Sequence, residues 1–331
     1  MEHLPENLHR PISIVCRLVF SAILALMLLA ARADADPSLA AIEAGAVDWG
    51  RDFDSALEEC KATGRPLLVL FQEIPGCIGC KTFGAEVLSQ PLMVEAIESA
   101  FIPVLVYNNR PGTTDEQLLR RYDEPAWNYQ VIRFLNAEGD DIIPRRDKIW
   151  TVSAVAKRMI EALEAADRRV PQFLRMLMLE HDRDNQAIAA FAMACYWTGE
   201  HKLGGIEGVI TTEAGWYDNR EVTLVTYHTG VLPLQRLIER AAEERCAQRV
   251  YLPENLSADT TRFTVKPLRL EKYQKASSGD QKKHLQNRPA IGSLKTLTPM
   301  QATKINSLSP QDGEGISRWL SPRQLATLSR Q

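Results

Sequence analysis

From residue 53 onward the apolar positions change period in a regular order. Phe53, Ala56, Leu57 and Cys60 recur at helical spacing, and the run Pro66–Phe71 is short and wholly apolar, as a buried strand is. The turn Ile74-Pro75-Gly76 then delivers Cys77-Ile78-Gly79-Cys80-Lys81 into a helical stretch reaching Ser99. Strands are predicted over Phe101–Tyr107, Gln130–Asn136 and Asp141–Pro144, the last two turned by Glu138-Gly139. Helices are predicted near Thr114–Tyr122 and from Val152 to Asp167. Residues 47–170 thus read as one α/β domain.

A second unit begins at Gln186–Ala194, a small-residue apolar run suited to a strand, which leads to Cys195-Tyr196-Trp197-Thr198-Gly199-Glu200. Glu221–Tyr227 alternates as a strand does, and Leu234–Arg245 is helical behind Pro233. Residues 186–256 read as an α+β domain. Residues 262–331 carry a short repeat, Leu297-Thr298-Pro299-Met300-Gln301 and Leu320-Ser321-Pro322-Arg323-Gln324. Thr or Ser, then Pro, then Gln at the third helical position is a capping-box arrangement. A small helical segment anchored by Trp319 and Leu320 is expected there.

The N-terminus belongs to neither unit. Arg10 and Arg17 precede the apolar run Leu18–Ala30, followed by Ala31-Arg32-Ala33. This order predicts a cleavable signal peptide over residues 1–33 and a periplasmic or secreted protein, membrane-anchored if uncleaved. Cys16 lies ahead of the run and is not placed for lipidation. A length of 331 residues suits about two domains. The net charge of −3 conceals an asymmetry: residues 262–331 hold 13 Lys and Arg against 4 Asp and Glu, which leaves −12 for the rest. A polyanion-binding tail and a basic segment docked on its own acidic domains both fit. The stretch Lys272–Lys283 has Tyr273 as its one aromatic residue, which argues against nucleic acid as a partner.

Five cysteines follow residue 33, an odd and sparse set that suggests redox chemistry rather than a disulfide framework. Cys77 opens a helix, where orphan N–H groups and the helix dipole stabilise a thiolate, and Cys80 sits one turn on, placed to resolve a mixed disulfide. A zinc half-site would need a second ligand pair, and no second C-x-x-C or H-x₃-H pair is present. Cys60 shares the apolar face of its helix and reads as core. His181, His201 and His228 have no metal-ligand spacing, so neither metal nor cofactor is expected.

The run of strand, Pro75, Gly76, Cys77, Cys80 and Lys81 resembles thioredoxin-like proteins, especially an exported group whose site reads Val-Pro-Gly-Cys/Sec-x-Thr-Cys. The resemblance implies a thioredoxin fold with Cys77 as attacking thiol and an upstream electron donor. One position departs: aligned on Phe134-Leu135, Tyr129-Gln130 occupies the place of the family's cis-proline, with Pro125 several residues early.

The segment around Cys195 resembles methionine sulfoxide reductase A in shortened form. Cys195 falls on that family's nucleophile, Tyr196 and Trp197 on its substrate-binding aromatics, and Gly208-Val209, Thr212, Gly215 and Trp216 on its next block. Glu221, six residues before Tyr227, falls on its catalytic acid. The resemblance implies attack by Cys195 on a sulfoxide, with proton donation by Glu221. A second thiol, Cys246 or Cys77, then resolves the resulting sulfenic acid. Protein or peptide substrates bearing methionine sulfoxide or disulfides are implied. The family's long loop before the catalytic acid is reduced to Tyr217-Asp218-Asn219-Arg220. Aligning Tyr251 places Cys246 where a site tyrosine stands. The alternative is a thiol–disulfide oxidoreductase whose second domain only binds.

Overall fold

The computed structural model describes residues 41–127, 130–309 and 312–330. The signal peptide expected at residues 1–33 and the aligned Tyr129 lie outside them.

The first domain opens with α1 (Phe53–Thr63), capped by the Asp52 side chain on the Ser55 N–H and ended by Gly64 at φ 67°. β1 (Leu67–Gln72) is buried at every position. It is the central strand of a three-stranded sheet, parallel to β2 (Ile102–Tyr107) and antiparallel to β3 (Val131–Leu135). The helical stretch expected up to Ser99 is two helices, α2 (Ile78–Glu86) and α3 (Pro91–Ala100). Pro91 takes the first helical position of α3, and the Gln90 side chain caps the Met93 N–H. After α4 (Thr114–Arg121) and β3, the strand expected over Asp141–Pro144 shrinks to one bridge between Leu135 and Asp141. Arg133 bonds the Asp141 carboxylate, and Pro144 has no N–H to extend a ladder. α5 (Val152–Ala165) packs against α6 (Gln172–His181), a helix the residue pattern did not announce.

The second domain is a six-stranded sheet in the order β8-β7-β4-β6-β5-β9. It comprises β4 (Gln186–Ala192), β5 (Val209–Tyr217), β6 (Arg220–His228), β7 (Arg249–Leu252), β8 (Thr264–Pro267) and β9 (Gln274–Lys275). α7 (Tyr196–Gly204) packs on β5 and β6. α8 (Leu234–Glu243) contributes Leu237, Ile238 and Ala241 to the core on the same face as Val225 and Tyr227. β8 and β9 come from residues 262–331, so the segment expected as a separate tail supplies both edge strands.

The remaining short helices are α9 (Lys283–Gln286), α10 (Pro289–Gly292), α11 (Pro299–Asn306), α12 (Gly313–Ser317) and α13 (Pro322–Leu328). Thr298 and Ser321 each make the full capping box. The basic segment docks on acidic groups of both domains. The Arg323 N–H meets Glu95 at 2.8 Å and its guanidinium pairs with Glu98, while Lys282 Nζ lies 2.6 Å from the buried Glu200.

Candidate active sites

The first thiol pair is positioned by the turn between β1 and α2. A Cβ on Gly76 would lie 2.4 Å from the Glu73 carbonyl oxygen and 2.7 Å from the Cys80 Cβ, so the chain passes only with glycine there. The Gly76 N–H donates to the buried Glu43 carboxylate at 2.9 Å, and Asn109 and Arg110 both donate to the Ile74 carbonyl. Cys77 is the N-cap of α2 and half-buried, whereas Cys80 is fully buried, with the two sulfurs 3.8 Å apart. Burial, reinforced by the neighbouring Cys77, pushes the Cys80 thiol up to about 11. The accessible sulfur at the helix terminus is therefore the one equipped to attack, and the buried one to resolve. Ile78, next to Cys77, is 80% exposed, and Trp127, whose carbonyl accepts from Asn108 just past the end of β2, is 64% exposed.

The second site is built on the β5–β6 hairpin. Asp218 and Asn219 both have positive φ, 53° and 55°, which closes a two-residue turn with Trp216 opposite Glu221. The reduced loop seen in the sequence is this turn. Cys195 is the half-buried N-cap of α7, and Glu221 accepts the N–H of the next residue, Tyr196, at 2.8 Å. The Tyr196 ring meets Trp197 and Trp216 edge-on, each at 5.9 Å between centroids. Residues 274–283 form another wall: Ala276 packs with Tyr196, and Trp197 Nε1 donates to the Asp280 carbonyl at 2.9 Å. Lys283 Nζ stands 5.2 Å over the Trp197 ring.

The geometry thus brings Cys77 with Cys80, and Cys195 with Tyr196, Trp197, Trp216 and Glu221. Cys246 follows α8 and lies two residues before Gln248, whose N–H donates to the carbonyl of Ala192, three residues before Cys195. Cys246 packs at the edge of the core containing Leu203 and Ala241, and burial pushes its thiol up. Lys202 opposes that shift and Glu244 adds to it. Among the described residues none of the five cysteines is in a disulfide. Tyr251, aligned above with a family tyrosine, donates to Asp218 at 3.2 Å and packs on Tyr217, on the sheet face opposite Trp216 and Glu221.

Residues 48–137 match the family model described as thioredoxin-like. The first domain is a thioredoxin-like domain. Among solved structures, one titled DsbH Oxidoreductase aligns at 19% identity and a TM-score of 0.31, over 36% of this chain and 85% of its own. No curated protein sequence matches the chain. Within the thioredoxin-like domain, the residue that reaches the dithiol from the start of β3 is Gln130, whose Oε1 lies 3.8 Å from Cys80 Sγ. The alignment places Tyr129-Gln130 at the family's cis-proline position, whereas residue patterns do not single out Glu43, which approaches through the fold rather than along the chain. In the same domain Cys60 is 4% exposed and packs with Phe53 and Ala56, as a core residue does.

Proposed function

We propose that the chain is an exported thiol–disulfide redox protein. In this reading the second domain reduces methionine-S-sulfoxide in peptides, and the thioredoxin-like domain returns it to the thiol state. The observation that carries the reading is the Glu221 carboxylate on the Tyr196 N–H, beside Cys195 and opposite Trp216. Nucleophile, acid and aromatic wall arrive from separate segments and meet at one helix N-terminus.

The chemistry follows from those positions. The Cys195 thiolate attacks the sulfoxide sulfur, and Glu221 protonates the departing oxygen. The protonated oxygen passes from the substrate sulfur to Cys195 Sγ as the S–O bond and the transient S–S bond to the substrate break, so the thioether leaves and Cys195 is a sulfenic acid. A thiol condenses with it, forming a disulfide and releasing water. Cys77 attacks that disulfide and Cys80 displaces the mixed disulfide, so two electrons pass to Cys195 and the Cys77–Cys80 pair becomes oxidised. An upstream donor must then reduce the pair. Trp197 and Trp216 would seat the apolar methyl group of the substrate.

The deciding experiment is turnover of a methionine-S-sulfoxide peptide with dithiothreitol, comparing the intact chain with Cys195→Ser. Activity abolished by the substitution supports the reading; equal turnover, or none in either protein, removes it. A second reading is favoured by Tyr217 and Tyr251, whose hydroxyls face away from Cys195. The second domain then binds substrate for the dithiol without reducing sulfoxide. In that case only the thioredoxin-like domain is active, shown by reduction of a disulfide substrate that survives Cys195→Ser. Export rests on Arg17 followed by Leu18–Ala30 and Ala31-Arg32-Ala33. Mass spectrometry of the mature protein beginning at Asp34 is the expected result.

A further inference from the structure

The dithiol poses a problem that its two cysteines do not solve. Cys80 is fully buried and must attack Cys77 as a thiolate, yet burial, the Cys77 side chain and Glu73 hold the proton on, offset in part by a hydrogen bond from the Cys77 backbone. The Cys77 side chain and Glu73 are the titratable groups that act on it, and both oppose ionisation.

We propose that Gln130 is a positioning residue for Cys80, its side-chain amide serving both protonation states of the buried sulfur. Three observations support this. Gln130 Oε1 lies 3.8 Å from Cys80 Sγ, within reach of a sulfur hydrogen bond. Gln130 immediately precedes β3, the strand paired with β1, and β1 leads through the turn to Cys77, so its backbone is held against the site. Cys80 Sγ lies 3.8 Å from Cys77 Sγ and the same distance from Gln130 Oε1, so both groups touch the one buried sulfur.

A primary amide is the neutral group suited to this place. Its oxygen accepts from the S–H while the thiol waits, and its NH₂ donates to the thiolate after a turn about the last side-chain bond. A carboxylate offers acceptors only, and an aliphatic chain offers neither. The amide therefore directs the S–H away from Cys77 and then stabilises the charge that must form before attack. This inference rests on the thiol–disulfide reading of Cys77 and Cys80, and its test separates the two.

The test is the resolving step itself, in the full chain carrying Cys195→Ser and Cys246→Ser so that the first-domain thiols dominate. 5,5′-Dithiobis(2-nitrobenzoate) places a thionitrobenzoate on Cys77 and releases one equivalent. Cys80 then attacks Cys77 Sγ, the Cys77–Cys80 bond forms, the bond to thionitrobenzoate breaks, and a second equivalent leaves as thiolate. The Cys80 proton goes to solvent. The rate of that second release is followed against pH for the parent, Gln130→Leu and Gln130→Glu.

Loss of a hydrogen bond to a charged group corresponds to about one pH unit, so Gln130→Leu is expected to raise the midpoint by about one unit and slow release about tenfold at pH 7. Gln130→Glu, similar in shape but negatively charged, is expected to move the midpoint further upward. A merely structural role for Gln130 predicts that Glu preserves the profile and Leu alone disturbs it. Profiles that superimpose on the parent in both variants overturn the proposal. A parent that releases no second equivalent overturns the dithiol reading beneath it.

Discussion

Trp216 stands directly opposite Glu221 across the β5–β6 hairpin, and the two residues meet Tyr196 from one face of the sheet. The two-residue turn fixes this pairing. A slip of one position would send both side chains through the sheet to the face that carries Tyr217 and Tyr251. The shortened loop, read in the sequence as a loss, is thus what brings an indole beside a carboxylate.

Glu221→Gln keeps the acceptor for the Tyr196 N–H and removes the proton. Turnover of a methionine-S-sulfoxide peptide is expected to fall by about two orders of magnitude or more, the range for loss of a general acid, with KM little changed. Trp216→Ala, by contrast, is expected to raise KM. Steady-state kinetics on both variants checks the division of roles, and equal turnover by Glu221→Gln removes Glu221 as the acid.

In the thioredoxin-like domain, Cys77 is expected to be alkylated well before Cys80. Cys80, held at about 11, should become reactive only as the pH approaches that value. Mass mapping of iodoacetamide adducts between pH 6 and 10, with Cys77→Ser to isolate Cys80, reads this directly. A Cys80 that labels first reverses the assignment.

Gly199 lets α7 lie close on β6: a Cβ there would fall 2.1 Å from Thr223 Oγ1 and 2.2 Å from Met193 Sδ. Gly199→Ala should therefore destabilise the second domain by about 1–3 kcal/mol through overpacking. The urea midpoint followed by tryptophan fluorescence is the measurement. No shift would mean that α7 and β6 separate at little cost.

Lys304 is buried, donating to the carbonyls of Gly204, the last residue of α7, and Ile206 at 2.8 and 2.7 Å. Burial pulls its pKa from 10.5 to about 7, opposed by Glu207. Between those values the unfolded chain binds the proton and the folded protein does not, so stability rises with pH across that window. The burial penalty is fully present below pH 7 and fades as the pH climbs, by at most about 1.4 kcal/mol per pH unit. Urea midpoints at pH 6.5 and 9 should show the rise in the parent and a flattened response in Lys304→Met. An identical slope in both proteins assigns the rise to other groups.

The thioredoxin-like order was legible because local signals there agree with the fold. Leu67–Phe71 is buried on both faces and reads as unbroken apolar sequence, and the Pro75-Gly76 turn announces the helix that Cys77 opens. Thr298 and Ser321 were legible for the same reason, since a capping box is written within four residues. Thr264–Pro267 was not, because all four residues are exposed and a strand without a buried face leaves no alternation to read. The break at Gln90-Pro91 and the failure of the strand at Pro144 are proline effects that periodicity passed over. The site contacts of Gln130, Glu43 and Asp280 join residues 50, 33 and 83 positions from their partners, separations at which sequence spacing carries no geometric information.

The origin of both edge strands in residues 262–331 also orders events on the ribosome. Trp197 and the Asp280 carbonyl that anchors it are 83 residues apart. At roughly 5–20 residues per second, the Cys195 segment is made some seconds before its wall is. During that interval β5 and β7 lack their outer partners, and the thiol at the head of α7 has no cover on that side. The domain bearing Cys77 and Cys80 has by then been synthesised. Translation therefore produces a finished dithiol first and a half-built thiol site beside it, which the last segment to emerge encloses.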